Sequence, residues 1–125
     1  MAKVLGIGGV FIKADDPTGL FAWYERLGLP GGCAPMSLLH WRLDDDPAKK
    51  GMTVWSLFPR DTKYFGTGPQ TVMVNYMVDD LDGMLVALRE AGVDVDPKRE
   101  DSEYGRFAWA TDPEGNRIEL WQPPA

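Results

Sequence analysis

A shift of 64 residues lays the second half of this 125-residue chain on its first. It places Asp15 on Asp79, Asp16 on Asp80, Gly19 on Gly83 and Gly28 on Gly92, and without a gap it also places Gly51 on Gly115, Val54 on Ile118 and Pro59 on Pro123. A register that holds across a helix and a closing strand points to two copies of one strand–helix–three-strand unit. Neither copy can cover both faces of its own sheet, so the halves are expected to pack together as one domain over 1–125. Module one runs from about 4 to 60, a linker from about 60 to 69, and module two from about 70 to 123.

Each unit is readable locally. Val4 to Ala14 has strand character, with Val10, Ile12 and Ala14 on one side and Gly9, Phe11 and Lys13 on the other. Asp15-Asp16-Pro17 supplies an acidic cap and a first-turn proline for a helix that carries Leu20, Phe21, Trp23, Tyr24 and Leu27, an aromatic stripe expected in the core, and ends at Gly28. After a Pro/Gly loop over 30–35, strands are predicted over Met36–Leu43 and Met52–Phe58, joined by a solvated turn over 44–51 that lacks the ligand pattern of a calcium loop. The second half repeats the order: a strand over Thr71–Val78, a helix opened by Asp79-Asp80-Leu81 that runs to about Ala91 and is closed by Gly92, short strands near Val93–Pro97 and about Gly105–Asp112, and a final strand. Asp112-Pro113-Glu114-Gly115-Asn116 is turn chemistry, and Arg117, Glu119 and Trp121 alternate with Ile118 and Leu120 behind it. Glu119 is the anomaly, because a carboxylate buried in a strand needs a partner, a proton or water.

These motifs and the repeat resemble the vicinal oxygen chelate superfamily, which includes glyoxalase I, bleomycin-resistance proteins and extradiol dioxygenases. The resemblance implies an α+β fold of two tandem βαβββ modules forming curved mixed sheets around a cavity, often completed by dimerisation. It also implies, in metal-using members, ligands on the first and last strands of each module. Those positions fall here on Gly9, Trp55, Met73 and Glu119, and one carboxylate does not make a catalytic metal site. No metal site is therefore predicted, and no cofactor, with a divalent metal disfavoured.

Strand alternation predicts Phe11, Trp55, Met73, Asn75 and Trp121 on the side of Glu119, an aromatic pocket with one acid and one amide. Glu119 is either a base or acceptor in that pocket, or a structural residue paired with Arg42, Arg106, Arg117 or water. Tyr64, Phe65 and Tyr104 fall in loops that could rim it. His40 is the only histidine, which excludes His-paired constellations, and Gly6-Ile7-Gly8-Gly9 lacks the third glycine of a dinucleotide loop. The lone Cys33 forms no disulfide framework, no stretch has the make-up of a signal peptide or a membrane span, and a net charge of −6 with scattered Lys and Arg opposes nucleic-acid binding. A cytoplasmic homodimer binding a small organic molecule is expected, aromatic ligands included. The alternatives are a glyoxalase-type lyase, isomerase or dioxygenase with a rearranged metal site or Glu119 as base, and an interaction module with a collapsed cavity.

Overall fold

A computed structural model describes residues 2–30 and 33–125. Gly31 and Gly32 of the expected Pro/Gly loop lie outside the described residues. The elements are β1 (Val4–Ala14), α1 (Pro17–Tyr24) running into a 3-10 turn (Glu25–Leu27), β2 (Met36–Arg42), β3 (Lys50–Pro59), β4 (Val72–Val78), α2 (Leu81–Glu90), β5 (Asp94–Ser102), β6 (Gly105–Thr111) and β7 (Arg117–Gln122). The strands form one open, curled, mixed sheet in the order β2-β3-β1-β4-β7-β6-β5.

The repeat governs this order. Each half pairs its first and last strands in parallel, β1 with β3 and β4 with β7, and the halves meet where β1 runs antiparallel to β4 within the chain. Both helices start at the acidic pairs that the sequence predicts, and the second aspartate of each pair is the cap: the Asp16 carboxylate accepts from the Gly19 amide and the Asp80 carboxylate from the Gly83 amide, each at 3.1 Å. Gly28 and Gly92 both take positive φ, 75° and 78°, as C-terminal stops.

The halves differ in one place. The first has two strands after its helix among the described residues, the second three. Across the sheet, Phe11 faces Ser56 as Asn75 faces Glu119, and Ser56 faces Met36 as Glu119 faces Trp109. The segment Gly28 to Met36 is thus nine residues shorter than Gly92 to Trp109, while the hairpin Met36 to Ser56 is ten residues longer than Trp109 to Glu119. The two differences nearly cancel and leave a slip of one residue in the last strand.

Both helices cover the outer face of the sheet. Leu81 and Leu85 of α2 pack on Val78, Ala108 and Leu120. On α1 the expected core stripe is only partly buried: Phe21 is covered and packs with Tyr24 against Trp55, but Trp23 is 51% and Leu27 65% exposed. An eight-residue helix laid on a sheet can bury one narrow strip, and the rest of the stripe remains at the surface. The inner face carries two clusters, Phe11, Phe65, Met73 and Trp109 in one and Leu43, Met77 and Trp121 in the other.

Candidate functional site

The closing strand is launched as its sequence dictates. The Asp112 carboxylate accepts from the amides of Glu114 and Asn116 at 2.9 Å, and Gly115 takes φ 88°. Alternation from Arg117 then turns Glu119 and Trp121 to the inner face and Leu120 to α2.

Glu119 is 1% exposed, and its partners are neutral donors. Trp109 Nε1, opposite it on β6, donates to Oε2 at 3.0 Å; Asn75 Nδ2, opposite it on β4, donates to Oε1 at 2.5 Å; and the Tyr64 hydroxyl donates to Oε2. None of the three arginines that the sequence offers reaches Glu119: Arg106 pairs with Asp82, Arg117 with Asp96, and Arg42 is exposed in a separate depression with His40. Burial raises the Glu119 pKa above its ordinary value, while the bonds from Tyr64, Asn75 and Trp109 pull it down. Burial, with the neighbouring Glu119 charge, also raises the Tyr64 pKa, so its hydroxyl keeps its proton. Lys98 Nζ and the Arg117 guanidinium stand 5.3 and 5.4 Å from the Trp109 ring centre, where cations are favoured.

Tyr64 arrives from the segment between β3 and β4, expected to be a linker. Phe65, 1% exposed, plugs that segment into the core, and Tyr64 stacks on Phe58 with ring centres 5.5 Å apart. Gln70 brackets the segment's end to β7, donating to the Arg117 carbonyl and accepting from its amide at 2.7 Å. Apart from its two adjacent aromatics, nothing in the local sequence signals this role.

In front of Glu119 opens a cavity of about 430 Å³. Phe11, Asn75, Glu119 and Trp121 line it, together with Phe58, Tyr64, Phe107, Tyr104, Val54, Ser56, Met36 and Met52. Met73 lies fully buried beneath, in the cluster with Phe11 and Phe65, and does not reach the cavity. The placement of Trp55 beside Glu119 is corrected. It is opposite Val10 on β1 and packs against Phe21 and Tyr24 of α1 on the outer face, and Ser56 takes the place equivalent to Glu119. The one-residue slip between the halves is the cause, since each step along a strand reverses the face.

The mouth is framed by the β5–β6 hairpin. Trp121 Nε1 donates to the Tyr104 carbonyl at 2.8 Å, and Gly105 sits at φ 120°, where a Cβ would stand 2.3 Å from the Gln122 carbonyl oxygen. His40 is exposed and lines a separate depression with Trp41, Arg42 and Lys50. Cys33 is exposed and free.

A model of the Glyoxalase/Bleomycin resistance protein/Dioxygenase superfamily matches residues 6–120, nearly the whole of this fold. The chain belongs to that superfamily. Solved structures of the same fold include a methylmalonyl-CoA epimerase from Mycobacterium tuberculosis, 22% identical with a TM-score of 0.60 over 98% of this chain and 90% of that one. A Streptomyces coelicolor methylmalonyl-CoA epimerase variant in complex with 2-nitronate-propionyl-CoA is 17% identical, with a TM-score of 0.69 over 98% and 100%. A glyoxalase/bleomycin resistance protein/dioxygenase superfamily member from Vibrio splendidus 12B01 is 14% identical, with a TM-score of 0.54 over 98% and 99%. No curated protein matches the sequence.

The superfamily resemblance implies a divalent metal in some members, and the donors around Glu119 do not fit one. The Tyr64 hydroxyl and the Trp109 indole fill Oε2, and Asn75 Nδ2 takes one of the two lone pairs of Oε1, so a single carboxylate lone pair is left where a divalent cation needs three or four ligands. Among the described residues, no three His, Cys, Asp or Glu side chains converge. Nor, among them, is any helix long and apolar enough to cross a membrane.

Proposed function

We propose that this member of the superfamily binds a small, apolar and preferably aromatic organic molecule in the cavity before Glu119, without a divalent metal. The observation that carries the reading is an open cavity of about 430 Å³ walled by Phe11, Phe58, Phe107 and Trp121, with a buried carboxylate among its lining groups. Its volume lies within the range of small-molecule sites, and apolar walls with few convergent polar groups are what such sites show. Hydrogen bonds that leave the carboxylate one open lone pair, on Oε1, support a site that takes a single donor and not a divalent metal. A collapsed interaction module is not favoured, because Trp121 forms a wall of open space and Trp55 lies on the opposite face.

Isothermal titration with planar aromatic compounds tests the reading. Binding with one site per chain, unchanged after dialysis against EDTA, is the expected result. Failure of every such compound to bind, or loss of binding with the metal, refutes it.

A second reading, an acid–base enzyme, is favoured by one observation: a buried carboxyl with a raised pKa bonded to a tyrosine hydroxyl beside a cavity. Its test is turnover of a carbon acid such as methylmalonyl-CoA, the compound processed by the epimerases of the same fold. Glu119→Gln should abolish any such rate.

A further inference from the structure

The polar groups that the cavity presents are unbalanced. Among the described residues its lining includes two acids, Glu103 and Glu119, and no Lys, Arg or His. Asn75 adds an acceptor. The residue is 2% exposed, its Nδ2 is committed to Glu119 Oε1, and its Oδ1 is buried with no hydrogen-bond partner among the described residues. The amide orientation follows from the carboxylate, because turning the amide over would set two acceptors against each other. The free oxygen faces Gly8, another lining residue, where a Cβ would stand only 2.3 Å from it. Glycine at that position leaves the oxygen room. A buried acceptor without a donor is costly, and a donor brought by a ligand removes the cost.

We infer that the ligand carries a hydrogen-bond donor, an ammonium or N–H group on an apolar aromatic body, which docks between Asn75 Oδ1 and the Glu119 carboxylate. This rests on the small-molecule reading above and names its ligand class. The carboxylate compensates an ammonium for its lost water, and Trp121, Phe107 and Phe58 in the lining give its aromatic body apolar walls. An anionic ligand meets two acids and no counter-charge. An uncharged hydrocarbon of the same shape fills the walls but leaves Asn75 Oδ1 unpaired.

The experiment is titration of the full chain at pH 7 with three probes of one shape, 1-naphthylmethylamine, 1-methylnaphthalene and 1-naphthoate. The amine is expected to bind about tenfold more tightly than the hydrocarbon, the effect of one hydrogen bond of ~1.4 kcal/mol, and the carboxylate more weakly than either. In Asn75→Leu the advantage of the amine over the hydrocarbon should shrink about tenfold while the hydrocarbon still binds, which also reports that the variant is folded. Should that variant fail to fold, Glu119→Gln is expected to shrink the same advantage. Equal binding of amine and hydrocarbon, or tighter binding of the carboxylate, overturns the donor class while leaving the pocket reading intact. Binding of none of the three overturns both.

Discussion

At the scale of single residues, Glu119 is held by donors contributed from two neighbouring strands and one connecting segment. Losing one of them strands part of a buried charge, so Trp109→Phe is expected to cost about 1.5–3 kcal/mol in urea unfolding, more than a shape change of that size alone. The raised pKa has a signed consequence. Below the ordinary glutamic acid value of 4.5, folded and unfolded chains both hold the proton. Above it the unfolded chain releases the proton first, so this carboxyl's contribution to stability falls as pH rises, until the folded carboxyl ionises as well. The stability of the wild type relative to Glu119→Gln should therefore decline as pH increases from 4.5, and a difference independent of pH would remove burial as the dominant influence on Glu119. That a strand carboxylate marked the important spot was legible from its apolar neighbours. Its partners were not, because Trp109 and Tyr64 lie 10 and 55 residues away and only pairing and loop packing bring them to it.

At the scale of elements, the caps and the closing turn are local devices, and local sequence suffices to read them. Asp16→Ala and Asp80→Ala should each cost about 0.5–2 kcal/mol of stability by thermal or urea denaturation, since each carboxylate satisfies an amide at its helix start. Strand faces behave differently. Gly51 and Pro59 align with Gly115 and Pro123 by a gapless shift, yet the strand between them is one residue out of step, and that slip carries Trp55 to the helices and Ser56 to the cavity. Two substitutions separate the faces. Trp55→Leu should lower stability by about 1–3 kcal/mol and leave the affinity for a cavity ligand unchanged. Ser56→Trp should fill the cavity and abolish that affinity, as read by titration. If Trp55→Leu were the variant that lost binding, the facing described for β3 would be wrong. The exposed part of the α1 stripe teaches the same point, because helical spacing shows that residues share a side and not how wide a side the sheet can cover.

At the scale of the whole molecule, the two halves are joined by the β1–β4 seam in one continuous sheet, and Phe65 from the connecting segment plugs into a cluster drawn from both halves. Such an arrangement is expected to unfold in a single transition. Tryptophan fluorescence, which reports on Trp23, Trp41 and Trp55 in the first half and Trp109 and Trp121 in the second, should give the same urea midpoint as circular dichroism. Two separated midpoints would show that each half is stable alone. The sequence by itself determined that the chain is a duplicated unit, where its helices begin and end, and that Glu119 sits in a strand with an apolar face, since all of these rest on interactions within a few residues or on comparison of the chain with itself. Tertiary structure alone decided which side chains share a cavity with Glu119, that Tyr64 and Trp109 bind it, and that Asn75 is left with an oxygen to offer. The physical reason is the period of two along a strand: a slip of one residue is invisible to an alignment of turns and glycines, but it exchanges the inside of the sheet for the outside.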